Sequence, residues 1–193
     1  MFTSPLYSDD QTSSIGQYTF QQNLISAPII ASIIEFERPD LVVEIGTGSG
    51  GFCSIIQELT RVPYDFYTLD VTEPPDCARL HDLRIKFELR DCFDERLKCL
   101  IKENARKKIL ILCDGGNKNK EFTAFAPLLK ENDIIMAHDS RRGIKDDRPD
   151  DWMNFWMGNE FSYKFDDEEL SLWKFPWWYW LASKAGWYGA KRT

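Results

Sequence analysis

Apolar positions along the chain fall into two rhythms. Leu41-Val42-Val43-Glu44-Ile45, Phe66-Tyr67-Thr68-Leu69-Asp70, Lys108-Ile109-Leu110-Ile111-Leu112-Cys113 and Asp133-Ile134-Ile135-Met136-Ala137 are short, dense apolar runs. Runs of this length, rich in aliphatic and β-branched residues, read as buried strands, with Ile85–Leu89 as a weaker fifth. Between them apolar residues recur at the i, i+3, i+4, i+7 spacing of an amphipathic helix. Ile29, Ile30, Ile33 and Ile34 form one such set, Phe52, Ile55, Ile56 and Leu59 a second, and Phe122, Phe125, Ala126 and Leu129 a third. The first helix is expected to take Ser26 as its cap, carry Pro28 in its first turn and end at Arg38-Pro39-Asp40.

Strands alternating with helices predict a Rossmann-like, doubly wound α/β fold. The sheet is expected to be mostly parallel and seven-stranded, with helices on both faces in a three-layer αβα sandwich. The last two strands are expected at Phe161–Phe165 and within Trp177–Ser183. No repeat or linker divides the 193 residues, so they are read as one domain. Residues 1–20 form a polar, irregular N-terminal arm, the charged stretch 140–151 a flap, and 152–193 an aromatic-rich end with strands and a helix.

Composition narrows the function more than the fold. The net charge is −7, which gives a phosphate backbone no global attraction, so no nucleic-acid partner is expected. Five cysteines without a C-x-x-C pair read as reduced thiols. The first ten residues have neither the basic stretch nor the apolar run of a secretory signal. The most apolar stretch, Leu24–Ile34, is about half the length needed to span a bilayer. A cytoplasmic protein with no transmembrane segment is expected.

The chemistry is expected where the first strand meets Gly46-Thr47-Gly48-Ser49-Gly50-Gly51, because open α/β sheets bind ligands beyond the carboxyl ends of their strands. Two patterns fit the cluster. Gly46, Gly48 and Gly51, with Asp70 roughly 20 residues further on, match the dinucleotide fingerprint G-x-G-x-x-G. Gly46, Gly48 and Gly50 match an E/D-x-G-x-G-x-G loop. Glu44 favours the second, since a carboxylate beside a pyrophosphate is unfavourable and beside a cationic ligand is favourable.

Residues 41–51 resemble motif I of the class I S-adenosylmethionine-dependent methyltransferases, and the similarity runs through residues 24–140. The resemblance implies that Glu44, Gly46, Thr47, Gly48 and Gly50 carry the amino-acid end of the cofactor. It implies that Asp70 binds the ribose hydroxyls, that Asp91 (or Asp94) and Cys92 lie at the adenine, and that Asp114 also lines the cofactor cleft. Asp114 and His138-Asp139 close the fourth and fifth strands and face the same crevice. Clustered acids suit a divalent cation, Mg²⁺ first, held by Asp114, His138 and Asp139. This resembles the metal-dependent catechol-type and cephalosporin-hydroxylase-like branches of the family, although His138-Asp139-Ser140 matches neither in full. Asp114, His138 and Lys118 are the candidate catalytic residues, with Lys120 as an alternative to Lys118. His138 stands equally as metal ligand or as base.

The expected activity is methyl transfer from S-adenosylmethionine to an oxygen of a small molecule. A tail dense in tryptophan reads first as core, and also suits a homodimer contact or the roof of a pocket for an aromatic or lipophilic acceptor. Two rivals stay open: a nicotinamide-dependent oxidoreductase, and a binding protein on the same fold without turnover.

Overall fold

The structure, a computed structural model, describes residues 13–15, 18–20, 22–138, 173–174, 177–178, 181–182 and 185–192. The expected flap at 140–151, the strand at Phe161–Phe165 and the candidate ligand Asp139 lie outside the described residues.

Nine strands and five α-helices are described, in the order β1 (Ser13–Ile15), β2 (Tyr18–Phe20), α1 (Ser26–Glu37), β3 (Leu41–Ile45), α2 (Gly51–Leu59), β4 (Asp65–Asp70), α3 (Cys77–Asp82), β5 (Ile85–Leu89), α4 (Glu95–Glu103), β6 (Ile109–Cys113), α5 (Lys118–Phe125), β7 (Ile134–His138), β8 (Trp173–Lys174) and β9 (Trp187–Arg192). A 3₁₀ turn, Ala126–Leu128, extends α5. The main sheet has seven strands in the order β5-β4-β3-β6-β7-β9-β8. The first five are parallel, and β9 runs antiparallel to both β7 and β8. The fold is therefore the doubly wound, mostly parallel α/β class expected, with its switch in strand order between β3 and β6.

Strand alternation divides the core into two. Val43, Ile111 and Ile135 face α4 and α5, where Leu97, Ile101, Phe122 and Phe125 cover them. Val42, Leu110, Leu112 and Met136 face the other way, onto Ile30, Ile34, Ile56 and Leu80 of α1–α3. All five residues of β3, β6 and β7 are buried, which explains why apolar residues occupy both faces, with Glu44 and His138 as the polar exceptions in β3 and β7: strands covered on both faces do not alternate.

Three local expectations change. Residues 1–20 are not wholly irregular, because β1 and β2 form an antiparallel ribbon with Ser13 opposite Phe20. Ser26 is not the cap of α1. It is the first helical residue, and its hydroxyl is drawn to the Ala185 carbonyl at 3.1 Å, while the Asn23 side chain accepts the Ile25 N–H at 3.1 Å. Within Trp177–Ser183 the described residues are turn and helix, and the sheet is completed instead by Trp173–Lys174 and Trp187–Arg192. The reason is packing: Trp178 and Trp187 are fully buried over the α1–α2 side of the sheet.

Buried charge fastens that tail. Glu37, at the end of α1, accepts from the Trp178 indole at 2.9 Å, Lys108 at 2.8 Å and Lys191 at 3.0 Å. Burial alone pushes its carboxyl up, but these donors outweigh it and hold the group below its ordinary range. No helix among the described residues is long and apolar enough to cross a membrane.

Candidate cofactor and catalytic cleft

The carboxyl ends of β3, β4, β6 and β7 open into one cleft of about 720 Å³, within the usual size of small-molecule sites. Its floor is the loop between β3 and α2. Gly46 stands at φ 93°, in the left-handed region, and a Cβ there would lie 2.4 Å from the Asp114 carbonyl oxygen. Only glycine satisfies both the dihedral and the close approach. The loop then turns through Gly48 and Gly50, also at positive φ, and Gly50 caps α2.

Asp70, at the end of β4, braces this loop. One carboxylate oxygen accepts the Gly48 N–H at 2.9 Å, and the other accepts the Thr72 N–H and hydroxyl, each at 3.0 Å. A carboxylate offers about four acceptor sites, so one remains toward the cleft. Beyond it lie Val71, Arg90, Asp91, Cys92 and Phe93. Asp94, the alternative to Asp91, instead caps α4 through the Arg96 N–H and pairs with Arg90.

Glu44 sits beneath the loop rather than on the cleft wall. Its Oε2 accepts from Thr68 Oγ1 at 2.6 Å, and Thr68 meets Thr47 Oγ1 at 2.7 Å, so a chain of hydroxyls joins the carboxyl to the loop. Oε1 has no hydrogen-bond partner among the described residues. Burial pushes the Glu44 carboxyl up to about 8, and the nearby Asp114 and Asp70 carboxyls add to the rise. Its protonated form is therefore favoured near neutrality, and a cation bound beside it would lower that pKa again.

At the opposite end of the cleft Asp114 is the centre. Its Oδ1 faces His138 Nδ1 at 3.1 Å and Lys118 Nζ at 3.6 Å, while its Oδ2 accepts from the Gln22 amide. His138 is buried, tilted against the Trp187 ring at 5.1 Å. A Cβ on Gly186 would stand 3.3 Å from His138 Nε2, so the glycine preserves space at that nitrogen. Phe20 and Phe52 line the same end, their centroids 6.0 Å apart. Glu121 lies behind Lys118. Burial raises its pKa, although it accepts the Gly115 and Asn117 N–H groups.

The cleft thus gathers Gly46, Thr47, Gly48, Asp70, Asp91, Cys92, Asp114, Lys118 and His138, while Glu44 and Gly50 support it from behind. Lys120 is exposed and off the lining, so of the two lysines only Lys118 reaches the site. Sequence reading missed Gln22, Phe20, Thr68 and Glu121. The alternation Tyr18-Thr19-Phe20-Gln21 is the one signal in the arm, and it stops short of Gln22.

The site fits an adenosyl cofactor. The glycine loop along the floor, open at Gly48, the Asp70 carboxylate on the lining and the apolar side chains of Val71, Phe93, Phe20 and Phe52 are features such a ligand can use. The fit to a divalent cation is incomplete. No group of three His, Cys, Asp or Glu side chains converges among the described residues. The two expected donors that are described, Asp114 and His138, are bonded to each other.

The chain matches no protein-family model and no curated protein sequence. Similar solved structures exist. CmcI with Mg and SAM superposes with a TM-score of 0.65 at 15% identity, covering 100% of this chain and 82% of that one. CmcI in its apo form gives 0.61 at 14%, over 91% and 73%. CmcI with SAH gives 0.55 at 16%, over 76% of each chain. At these identities the likeness establishes the fold.

Proposed function

We propose that this chain is an S-adenosylmethionine-dependent methyltransferase acting on an oxygen of a small-molecule acceptor. One observation carries the reading: the glycine cradle with Asp70 and the Asp114–His138 pair open into the same cleft, at the switch point of a sheet shaped like that of SAM- and SAH-bound CmcI.

Bound there, the cofactor supplies an electrophilic methyl group on a cationic sulfur. The loop from Gly46 to Gly48 holds its amino-acid end, Asp70 accepts from the ribose, and Asp91, Cys92 and Phe93 flank the base. His138 takes the proton of the acceptor hydroxyl. Its Nδ1–H points to Asp114, so the lone pair lies on Nε2, and Asp114 stabilises the imidazolium that forms. Phe20 and Phe52 exclude water from this end, and the protein otherwise contributes orientation. Their rings suit an aromatic or lipophilic acceptor. Five cysteines, none in a disulfide, suit the reducing cytoplasm.

A second form of the reading adds a divalent cation at Asp114, His138 and Asp139. The Mg-bearing form of CmcI is the observation favouring it.

Calorimetry tests the core claim. Micromolar binding of S-adenosylmethionine and S-adenosylhomocysteine is expected, weakened about 10- to 100-fold in Asp70→Ala, with transfer of a labelled methyl group to an acceptor from a phenol and alcohol panel. Binding of NAD instead would sink the proposal. Cofactor binding without transfer to any acceptor would favour a binding protein, and turnover abolished by EDTA and restored by Mg²⁺ would favour the cation form.

A further inference from the structure

Gln22 is a buried amide delivered from outside the sheet, and nothing in the glycine loop accounts for it. The arm that carries it is anchored at alternate residues. The Tyr18 hydroxyl bridges Glu58 and Arg79, and Phe20 is buried against Phe52. Gln22 then enters between the Trp187 indole and Asp114.

The directions of its hydrogen bonds are dictated by its neighbours. An indole N–H only donates, so Trp187 Nε1, 3.0 Å away, assigns the near atom as Gln22 Oε1. The amide NH₂ must then face Asp114 Oδ2, as it does. With Oδ2 engaged, Oδ1 is turned to His138 Nδ1 at 3.1 Å. A carboxylate only accepts, so the neutral ring carries its proton on Nδ1. Without Gln22, Asp114 has a competing partner, Lys118 Nζ at 3.6 Å from the same Oδ1. The Trp187 ring, stacked on Phe52 at 5.6 Å and 6° and tilted against His138, holds both ends of this relay in one packed unit.

We propose that Gln22 is a positioning residue: held by the Trp187 donor, its amide occupies Asp114 Oδ2 and keeps Oδ1 on His138 Nδ1, so that Asp114 maintains the Nδ1–H tautomer of the ring. That this tautomer serves as the base rests on the methyltransferase reading; the tautomer itself does not.

The chain has two histidines, His81 and His138, so its imidazole NMR spectrum is simple to assign with a His81→Gln variant. ¹⁵N imidazole spectra in EDTA, at a pH where the ring is neutral, would read the tautomer in the wild-type chain, Gln22→Met and Gln22→Leu. The wild-type ring is expected in the Nδ1–H form. Gln22→Met should move it toward the Nε2–H form preferred by a histidine side chain whose Nδ1 has no fixed acceptor. Gln22→Leu likewise removes the donor to Asp114 without adding a second carboxyl, so it should also abandon the wild-type state, and it covers the case where the Met variant fails to fold. An unchanged Nδ1–H form in a cooperatively folded variant would overturn the proposal. Titration of the wild-type chain with S-adenosylhomocysteine separates the two ideas: absent binding sinks the function, whereas binding with an unmoved tautomer sinks only the role of Gln22.

Discussion

Glu44→Gln is expected to stabilise the protein increasingly as pH rises. The carboxyl titrates near 4.5 when unperturbed and at about 8 in the fold, where burial disfavours its charge. Between those values the unfolded chain releases the proton and the native chain keeps it. The wild-type contribution is therefore present below pH 4.5 and is lost as pH climbs through 8. The loss approaches about 1.4 kcal/mol per pH unit in the middle of that window. Integrated from pH 5 to pH 7, it comes to about 2.5 kcal/mol. Glutamine has the same shape and no proton to lose, so its stability relative to wild type should improve by that amount over the same interval. The Thr68 bond to Oε2 adds an offset that does not vary with pH, and the other titrating groups cancel in the difference. Urea unfolding of both proteins at pH 5 and pH 7 measures it. A relative stability equal at the two pH values would refute the reasoning, because Glu44 would then ionise alike in the folded and unfolded chain.

Glu37→Gln should behave oppositely. Its folded pKa lies below the unfolded value, so its contribution exists above that value and disappears as pH falls through the folded one. Losing the charge beside Lys108 and Lys191 should cost about 3 kcal/mol at pH 7, shrinking in acid, by urea unfolding. Gly46→Ala forces a left-handed dihedral and an overlap with the Asp114 carbonyl, so it should lower stability by about 2 kcal/mol or more, read by thermal unfolding. Asp70→Ala removes the brace of Gly48 and, on the proposed function, the ribose acceptor as well, so calorimetry should show S-adenosylhomocysteine binding weakened about 10- to 100-fold.

The strands β3, β4, β6 and β7 were legible because burial on both faces leaves a dense apolar run, a local property of the chain. The glycine loop was legible for a related reason. The demand at Gly46 is a dihedral and a missing Cβ, and both are written in the residue type. Glu44 was half legible. Its position at the strand end marked it, but its charge state depends on depth of burial, which spacing does not encode.

The Asp114–His138 end of the cleft was the least legible, because what assembles it is distant in sequence. Gln22 meets Asp114 across 92 positions and Trp187 across 165. Neither contact leaves a periodic or compositional trace at Gln22, which looks like any polar residue of an arm. The tail misled for the complementary reason: its tryptophans made Trp177–Ser183 look like a strand, whereas Trp178 is spent on Glu37 and Trp187 on Gln22. The arm and the Trp187 strand therefore converge on the Asp114–His138 end of the cleft. A parallel sheet supplies strand ends with their acids but nothing to orient them. The orientation of Asp114 has to come from segments added outside the β3–β7 framework, and the arm and the tail are those segments.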